Sequence, residues 1–245
     1  MKKITFLSIT LFAISISLTS CIKDIICIEG EGDIITKTLN IDEFDGINSM
    51  GAEKVIISQG PEQIVEVKGH ENIIERLETE VYSGTWKIKL ENEDCYTDYE
   101  LSVYITVPDI REISITGSAD IEVNDFVDQN ELDLNITGSG DIEFADFKGC
   151  EYFSIDILGS GNIECNGFFD SLKKLEMNIS GSGNFEGFNA ETEDCKIDIS
   201  GSGNCYVNVS DKLDIEISGS GDIYYKGYPS INTNITGSGD LVNAN

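Results

Sequence analysis

Seven side chains able to offer oxygen ligands recur at one place in the second half of the chain: Asp120, Asp141, Asn162, Asn184, Asn204, Asp222 and Asp240. Each directly follows a Gly-Ser-Gly tripeptide, or once Gly-Ser-Ala, so the oxygens sit beside backbone that can turn sharply. Such a site could hold calcium, which takes about six to eight oxygens. The spacing argues otherwise: successive members lie 18 to 22 residues apart, and three of the seven are neutral asparagine. Only Asp120 with Asp141, and Asp222 with Asp240, place two carboxylates in neighbouring units. An Asx turn, with the side chain bonding local backbone amides, is the reading these residues favour. No metal or cofactor is expected.

Other chemistry is limited by residue type. His70 is the single histidine, which excludes a His-pair metal site or a two-histidine mechanism. Glycoside cleavage needs two carboxylates roughly 5 to 9.5 Å apart, and a chain with 45 Asp and Glu supplies acids everywhere. A lyase acting on acidic sugars also needs cations, and Arg76 and Arg111 are the only arginines. No residue is assigned a catalytic role.

Two aromatic features stand out. Phe126, Phe147, Phe168 and Tyr228 fall six residues beyond the Asx column, with Phe188 out of register, and are read as filling a corner of the core. Tyr224, turned outward by alternation beside inward Ile223 and Tyr225, is the candidate sugar contact. Trp86 is read as packed, and His70 as a surface-turn residue. Six cysteines remain besides Cys21. Cys165, Cys195 and Cys205 take slots that other units fill with apolar residues and are read as buried thiols; the pairing among all six stays open.

The elements that position these residues follow from the repeat. The glycine tripeptides begin at Gly117, Gly138, Gly159, Gly181, Gly201, Gly219 and Gly237. Two residues before each stands Ile115, Ile136, Ile157, Ile179, Ile199, Ile217 or Ile235. Four before stand Ile113, Leu134, Ile155, Met177, Ile197, Ile215 and, departing from the pattern, Thr233. The residues between are polar. This is strand alternation with one buried face, and after the corner a second short strand resumes it. No unit could bury its apolar face alone, so the units must stack. The sequence therefore predicts an all-β parallel β-helix of about 20 residues per turn over 110–245. Residues 34–109 are strand-rich but irregular and read as imperfect turns or a cap, with a separate small β-sandwich as the alternative.

Residues 1–20 are excluded from the fold. Lys2 and Lys3 precede an uncharged apolar run from Ile4 to Leu18, too short for a comfortable transmembrane span. Leu18-Thr19-Ser20-Cys21 then resembles a bacterial lipobox, which makes Cys21 the lipidated mature N-terminus and residues 21–33 a tether. Ile22 after the cysteine resembles lipoproteins sent to the outer membrane. The net charge of −29 removes nucleic acid and anionic lipid surfaces as electrostatic partners.

Phe44-Asp45-Gly46-Ile47, Val55-Ile56-Ile57-Ser58-Gln59-Gly60, Val107-Pro108 and the repeated Ile-(Thr/Ser)-Gly-Ser-Gly-(Asp/Asn) resemble the putative autotransporter adhesin, head GIN domain family, from about Phe44 onward. The resemblance implies a right-handed β-helix and an adhesive role, and brings no catalytic residues. The expectation is a non-catalytic cell-envelope lipoprotein, membrane-held by its N-terminal lipid. Its partner would be a glycan or a host or cell-surface protein. The alternatives are a polysaccharide-active β-helix enzyme and a structural protein that self-associates through its C-terminal edge.

Overall fold

The computed structural model describes residues 27–91 and 95–245. The expected signal segment, Cys21 and the first part of the tether lie outside the described residues. The first half holds β1 (Ile28–Glu29), β2 (Ile34–Leu39), β3 (Gly46–Ser49), β4 (Lys54–Gln59), β5 (Ile64–His70), the helical turn α1 (Glu71–Ile74), β6 (Val81–Tyr82), β7 (Thr85–Ile88), β8 (Tyr96–Thr97) and β9 (Leu101–Val107). The repeats follow as β10 (Glu112–Gly117), β11 (Asp120–Val123), β12 (Glu131–Gly138), β13 (Asp141–Phe144), β14 (Tyr152–Gly159), β15 (Ile163–Cys165) and β16 (Lys174–Gly181). Then come β17 (Phe185–Gly201), β18 (Cys205–Gly219), β19 (Ile223–Lys226), β20 (Ser230–Gly237) and β21 (Leu241–Asn243).

Each repeat forms one rung: a long strand, the glycine corner, a short strand and a turn. Long strands stack parallel and in register through β10, β12, β14, β16, the ends of β17 and β18, and β20. Short strands stack through β11, β13, β15, the starts of β17 and β18, β19 and β21. The product is a β-solenoid of about 6 turns, near 21 residues each. Ile136 rests between Ile115 and Ile157, all three fully buried, so one repeat position becomes one core column.

The corner explains its own sequence. The Ser139 N–H donates to Gly117 O at 2.9 Å, and Ser160 N–H to Gly138 O at 2.9 Å, so the backbone ladder continues through the bend. At Gly138, φ is +140°, and a Cβ there would lie 2.1 Å from Gly117 O. Glycine is required twice over, by backbone angle and by the rung before.

The N-terminal half is threaded out of chain order. β3 and β4 lie between β7 and β9 on one side and β10 and β11 on the other, all parallel. After β2 at the outer end, the chain therefore enters an interior rung at β3 and β4, runs out again through β5 to β9 and returns to start the repeats. β2 and β5 continue the sheet antiparallel beyond β9, and β6 folds antiparallel onto β7. These antiparallel strands finish that end of the solenoid. Trp86 is fully buried there, its Nε1–H donating to Glu78 O at 3.0 Å. A disulfide joins Cys27 to Cys95, while Cys150, Cys165, Cys195 and Cys205 are buried free thiols.

The aromatic column expected to be buried is buried only at Phe126 and Phe147. Phe168 is 66% exposed, and Phe169 takes the inward place, stacked on Phe147 and Phe153 at 5.6 and 5.4 Å. The rung from Gly159 to Gly181 is one residue longer than its predecessors, which shifts the phase of the turn by one position. Tyr228, on an 18-residue rung, is 90% exposed.

Candidate functional site

The Asx column forms a ladder of a kind the sequence reading did not foresee. Asn162 N–H and Nδ2 both donate to Asp141 Oδ1, each at 2.8 Å. The relay continues with Asn184 N–H to Asn162 Oδ1 at 3.3 Å, Asn204 N–H to Asn184 Oδ1 at 3.0 Å, Asp222 N–H to Asn204 Oδ1 at 2.9 Å and Asp240 N–H to Asp222 Oδ1 at 2.8 Å. Each oxygen accepts from the next rung rather than from its own turn. Asp120 stands at the exposed start of the column, beside Lys54 and Glu122. Among the described residues no group of three or more His, Cys, Asp or Glu is placed to hold a metal ion.

A second column, two residues beyond the Asx, is readable in the repeat once the register is known. Glu122, Glu143, Glu164 and Glu186 stack on successive rungs, followed by Tyr206, Tyr224 and Val242. Neighbours in such a column are about 4.8 Å apart, so four like charges repel along the flank. Lys54 relieves the first, its Nζ 2.6 Å from Glu122 Oε1, and this bond raises the lysine's pKa. Tyr224 does point outward, but its ring stacks on Tyr206 with centroids 4.8 Å apart and planes 6° from parallel. One of its two faces is thereby occupied.

Where acid gives way to aromatic, the ladder breaks. Gly187 pairs with Val207 but Glu191 pairs with the next residue, Asn208, which leaves Phe188, Asn189 and Ala190 as a bulge on β17. Bulges re-aim side chains out of the regular pattern. Here Phe188 is pushed onto the flank, where it meets Tyr206 edge-on at 5.5 Å and lies 4.2 Å beneath Lys226 Nζ. Asn189 Nδ2 donates to Asn166 O at 2.9 Å, and Asn208 Nδ2 to Phe188 O at 3.4 Å, fixing the bulge to both neighbouring rungs.

The bulge divides two depressions. One, of about 630 Å³, is walled by Phe168 and Phe188, with Asn189, Thr192, Asn208 and Ser210 and the acids Asp170, Glu191 and Glu193 among its polar lining. The other, of about 410 Å³, lies between Phe188, Tyr206, Glu186 and Asn166. The loop carrying Phe168 is held by Asp146, whose Oδ1 accepts the Phe168 N–H at 2.9 Å. That bond and the Lys148 ammonium hold the Asp146 carboxyl below its ordinary value. The groove exists because glycine intervals fall from 22 residues to 20 and then 18, so a longer turn overhangs shorter ones. Its signal in the sequence was that shrinking interval, together with Phe188 out of register.

His70 lies at the end of β5, where its Nδ1 accepts the Glu100 N–H at 3.2 Å, far along the stack from this groove. Its role there is structural, since the ring also lies against Gly30.

The stacked β fold is shared with solved proteins. Residues 43–229 match the family described as "Putative auto-transporter adhesin, head GIN domain". The chain belongs to that family. Among solved structures, a Bacteroides fragilis protein described as a putative adhesin aligns with a TM-score of 0.80 at 21% identity, over 88% of this chain and 99% of its own. A Parabacteroides distasonis protein described as a putative lipid binding protein aligns with a TM-score of 0.71 at 25% identity, over 88% and 99%. A putative adhesin from Parabacteroides merdae aligns with a TM-score of 0.65 at 19% identity, over 88% and 99%. No curated protein matches the chain. Membership in the head GIN domain family supports a binding or adhesive role at the cell envelope or surface rather than an enzymatic one.

Proposed function

We propose that this head GIN domain protein is a non-catalytic, lipid-anchored module of the outer membrane that binds a neutral glycan along the groove between Phe168 and Phe188. The observation that carries this reading is Phe168 itself: a phenylalanine 66% exposed, on a loop tied back by Asp146, facing a groove lined by amides, hydroxyls and carboxylates. An apolar ring beside a polar floor matches a sugar, which offers C–H faces for stacking and hydroxyls for hydrogen bonds. The net charge of −29 and the four stacked glutamates disfavour an anionic glycan. A lipid ligand, suggested by the description of the Parabacteroides relative, fits less well, since amides, hydroxyls and carboxylates surround these rings. The lipobox ending at Cys21 supports anchoring, because multiple acyl chains at about 0.8 kcal/mol per buried methylene give stable attachment. The Cys27–Cys95 disulfide suits an exported protein.

The test is a glycan array probed with the protein and with Phe168→Ala. The expected result is binding to neutral oligosaccharides that falls at least tenfold in the variant, with an unchanged melting temperature. Binding insensitive to both Phe168→Ala and Phe188→Ala would remove the groove from the account. Turnover of a bound glycan would replace the binding module with an enzyme.

A further inference from the structure

We propose that β20 is a self-pairing strand through which two copies of this chain join end to end as a two-fold symmetric dimer. β20 is bonded to β18 along one edge and to no strand along the other among the described residues. All eight of its residues are exposed, whereas the equivalent strand one rung earlier buries its inward residues. Ile231 and Ile235 are 38% and 37% exposed; their counterparts Leu213 and Ile217 are 0% and 1% exposed. A core column is thus left open to water.

Three further observations name the occupant. First, the strand reads Ser230-Ile231-Asn232-Thr233-Asn234-Ile235-Thr236, a near palindrome about Thr233. An interface on a two-fold axis must be self-complementary. Antiparallel pairing of two β20 strands centred on Thr233 sets Ile231 opposite Ile235 of the second copy, Asn232 opposite Asn234, and Thr233 opposite itself. Residues directly opposite in an antiparallel pair share a face, so the inward residues of both copies would stay inward and the two cores would become continuous.

Second, Thr233 breaks the apolar column Ile113, Leu134, Ile155, Met177, Ile197, Ile215 at the residue that would lie on the axis. Paired threonines can bond through their hydroxyls, and the exchange specifies this register. Third, residues 230–245 carry one charge, Asp240, in a chain of net charge −29. Exposed edges are ordinarily guarded by charge, proline or a bulge. Within its eight residues β20 has none of these, and a rung with a single acid lets two copies of so acidic a protein approach with little repulsion. At the other end, antiparallel β2 and β6 interrupt the parallel stacking, so the pairing closes as a dimer and does not propagate as a filament.

The full chain, purified in detergent so that any anchor is retained, tests this directly. Light scattering at tens of micromolar should report a dimer. Thr233→Cys should form a disulfide-linked dimer on mild oxidation, since directly paired residues satisfy disulfide spacing, whereas Ser200→Cys, exposed on an interior rung, should not. Thr233→Asp should give a folded monomer whose melting temperature no longer depends on protein concentration and whose glycan binding is unchanged, which separates this inference from the groove. A monomeric wild type, equal cross-linking of both cysteine variants, a dimer that survives Thr233→Asp, or an open-ended polymer would each overturn it.

Discussion

Asp141 and Asn162, one rung apart, are joined twice through a single oxygen: the Asn162 backbone N–H and its Nδ2 both reach Asp141 Oδ1 at 2.8 Å. The pair shows why the middle of this column is amide and not acid. Asn184 Nδ2 repeats the contact on Asn162 Oδ1 at 2.8 Å, so Asn162 accepts from one neighbour while donating to the other. A carboxylate can only accept.

Asn162→Asp should therefore cost more than an ordinary polar exchange. It removes the Nδ2 donor and sets two carboxylates face to face, for a loss of about 1–2 kcal/mol. That is roughly 3–6 °C in Tm for a chain of this size. Thermal melts of the wild type and the variant at pH 7 measure the loss, and an equal Tm would contradict the relay.

Gly181 and Gly32 separate strain from collision. Both have positive φ, +135° and +82°. A Cβ at Gly181 would lie 2.1 Å from Gly159 O, whereas one at Gly32 would meet nothing within 4 Å. Gly32→Ala should cost about 1–2 kcal/mol, the price of left-handed backbone alone. Gly181→Ala should cost about 3 kcal/mol or more, since a rung must shift as well. Paired denaturation curves decide this; equal losses would mean that the close stacking of corners is unimportant.

The four free thiols should be chemically silent in the native protein. Burial pushes Cys150 up to about 12 and raises Cys165, Cys195 and Cys205 as well. The thiolate is the reactive form. Maleimide at pH 8 should leave these four unlabelled until denaturant is added, as peptide mass spectrometry would read. Rapid native labelling at any of the four would contradict the packing described.

The Asp146 contact gives the Phe168 loop a defined acid limit. Its folded value lies below the ordinary 3.8, so its stabilisation is complete above that pH. It is lost only as pH falls further, through the lowered value. Wild type should exceed Asp146→Asn in stability at pH 7, and the two should converge in strong acid. A difference that grew on acidification would have the wrong sign.

Much of this architecture was legible because a repeat whose length equals one coil brings each residue against its own equivalent. Ile136 needs no distant partner to be identified: Ile115 and Ile157 are given by the period, and so are the corner glycines. The same logic exposes the glutamate column from Glu122 to Glu186, which the spacing contained although it was not read.

Three features lay beyond local pattern. The placement of β3 and β4 between β7 and β9 and the first repeat is a non-local choice of partner, and strands of similar character can pair in several orders. The Cys27–Cys95 bond depends on that threading. The groove depends on phase, since one added residue in a 22-residue turn exchanged Phe168 for Phe169, and three unpaired residues turned Phe188 outward. Sequence by itself determined a stacked, acidic solenoid with glycine corners, because those properties repeat. Only the tertiary structure decided where the repeat fails, because a break in register is a relation between rungs and belongs to neither alone.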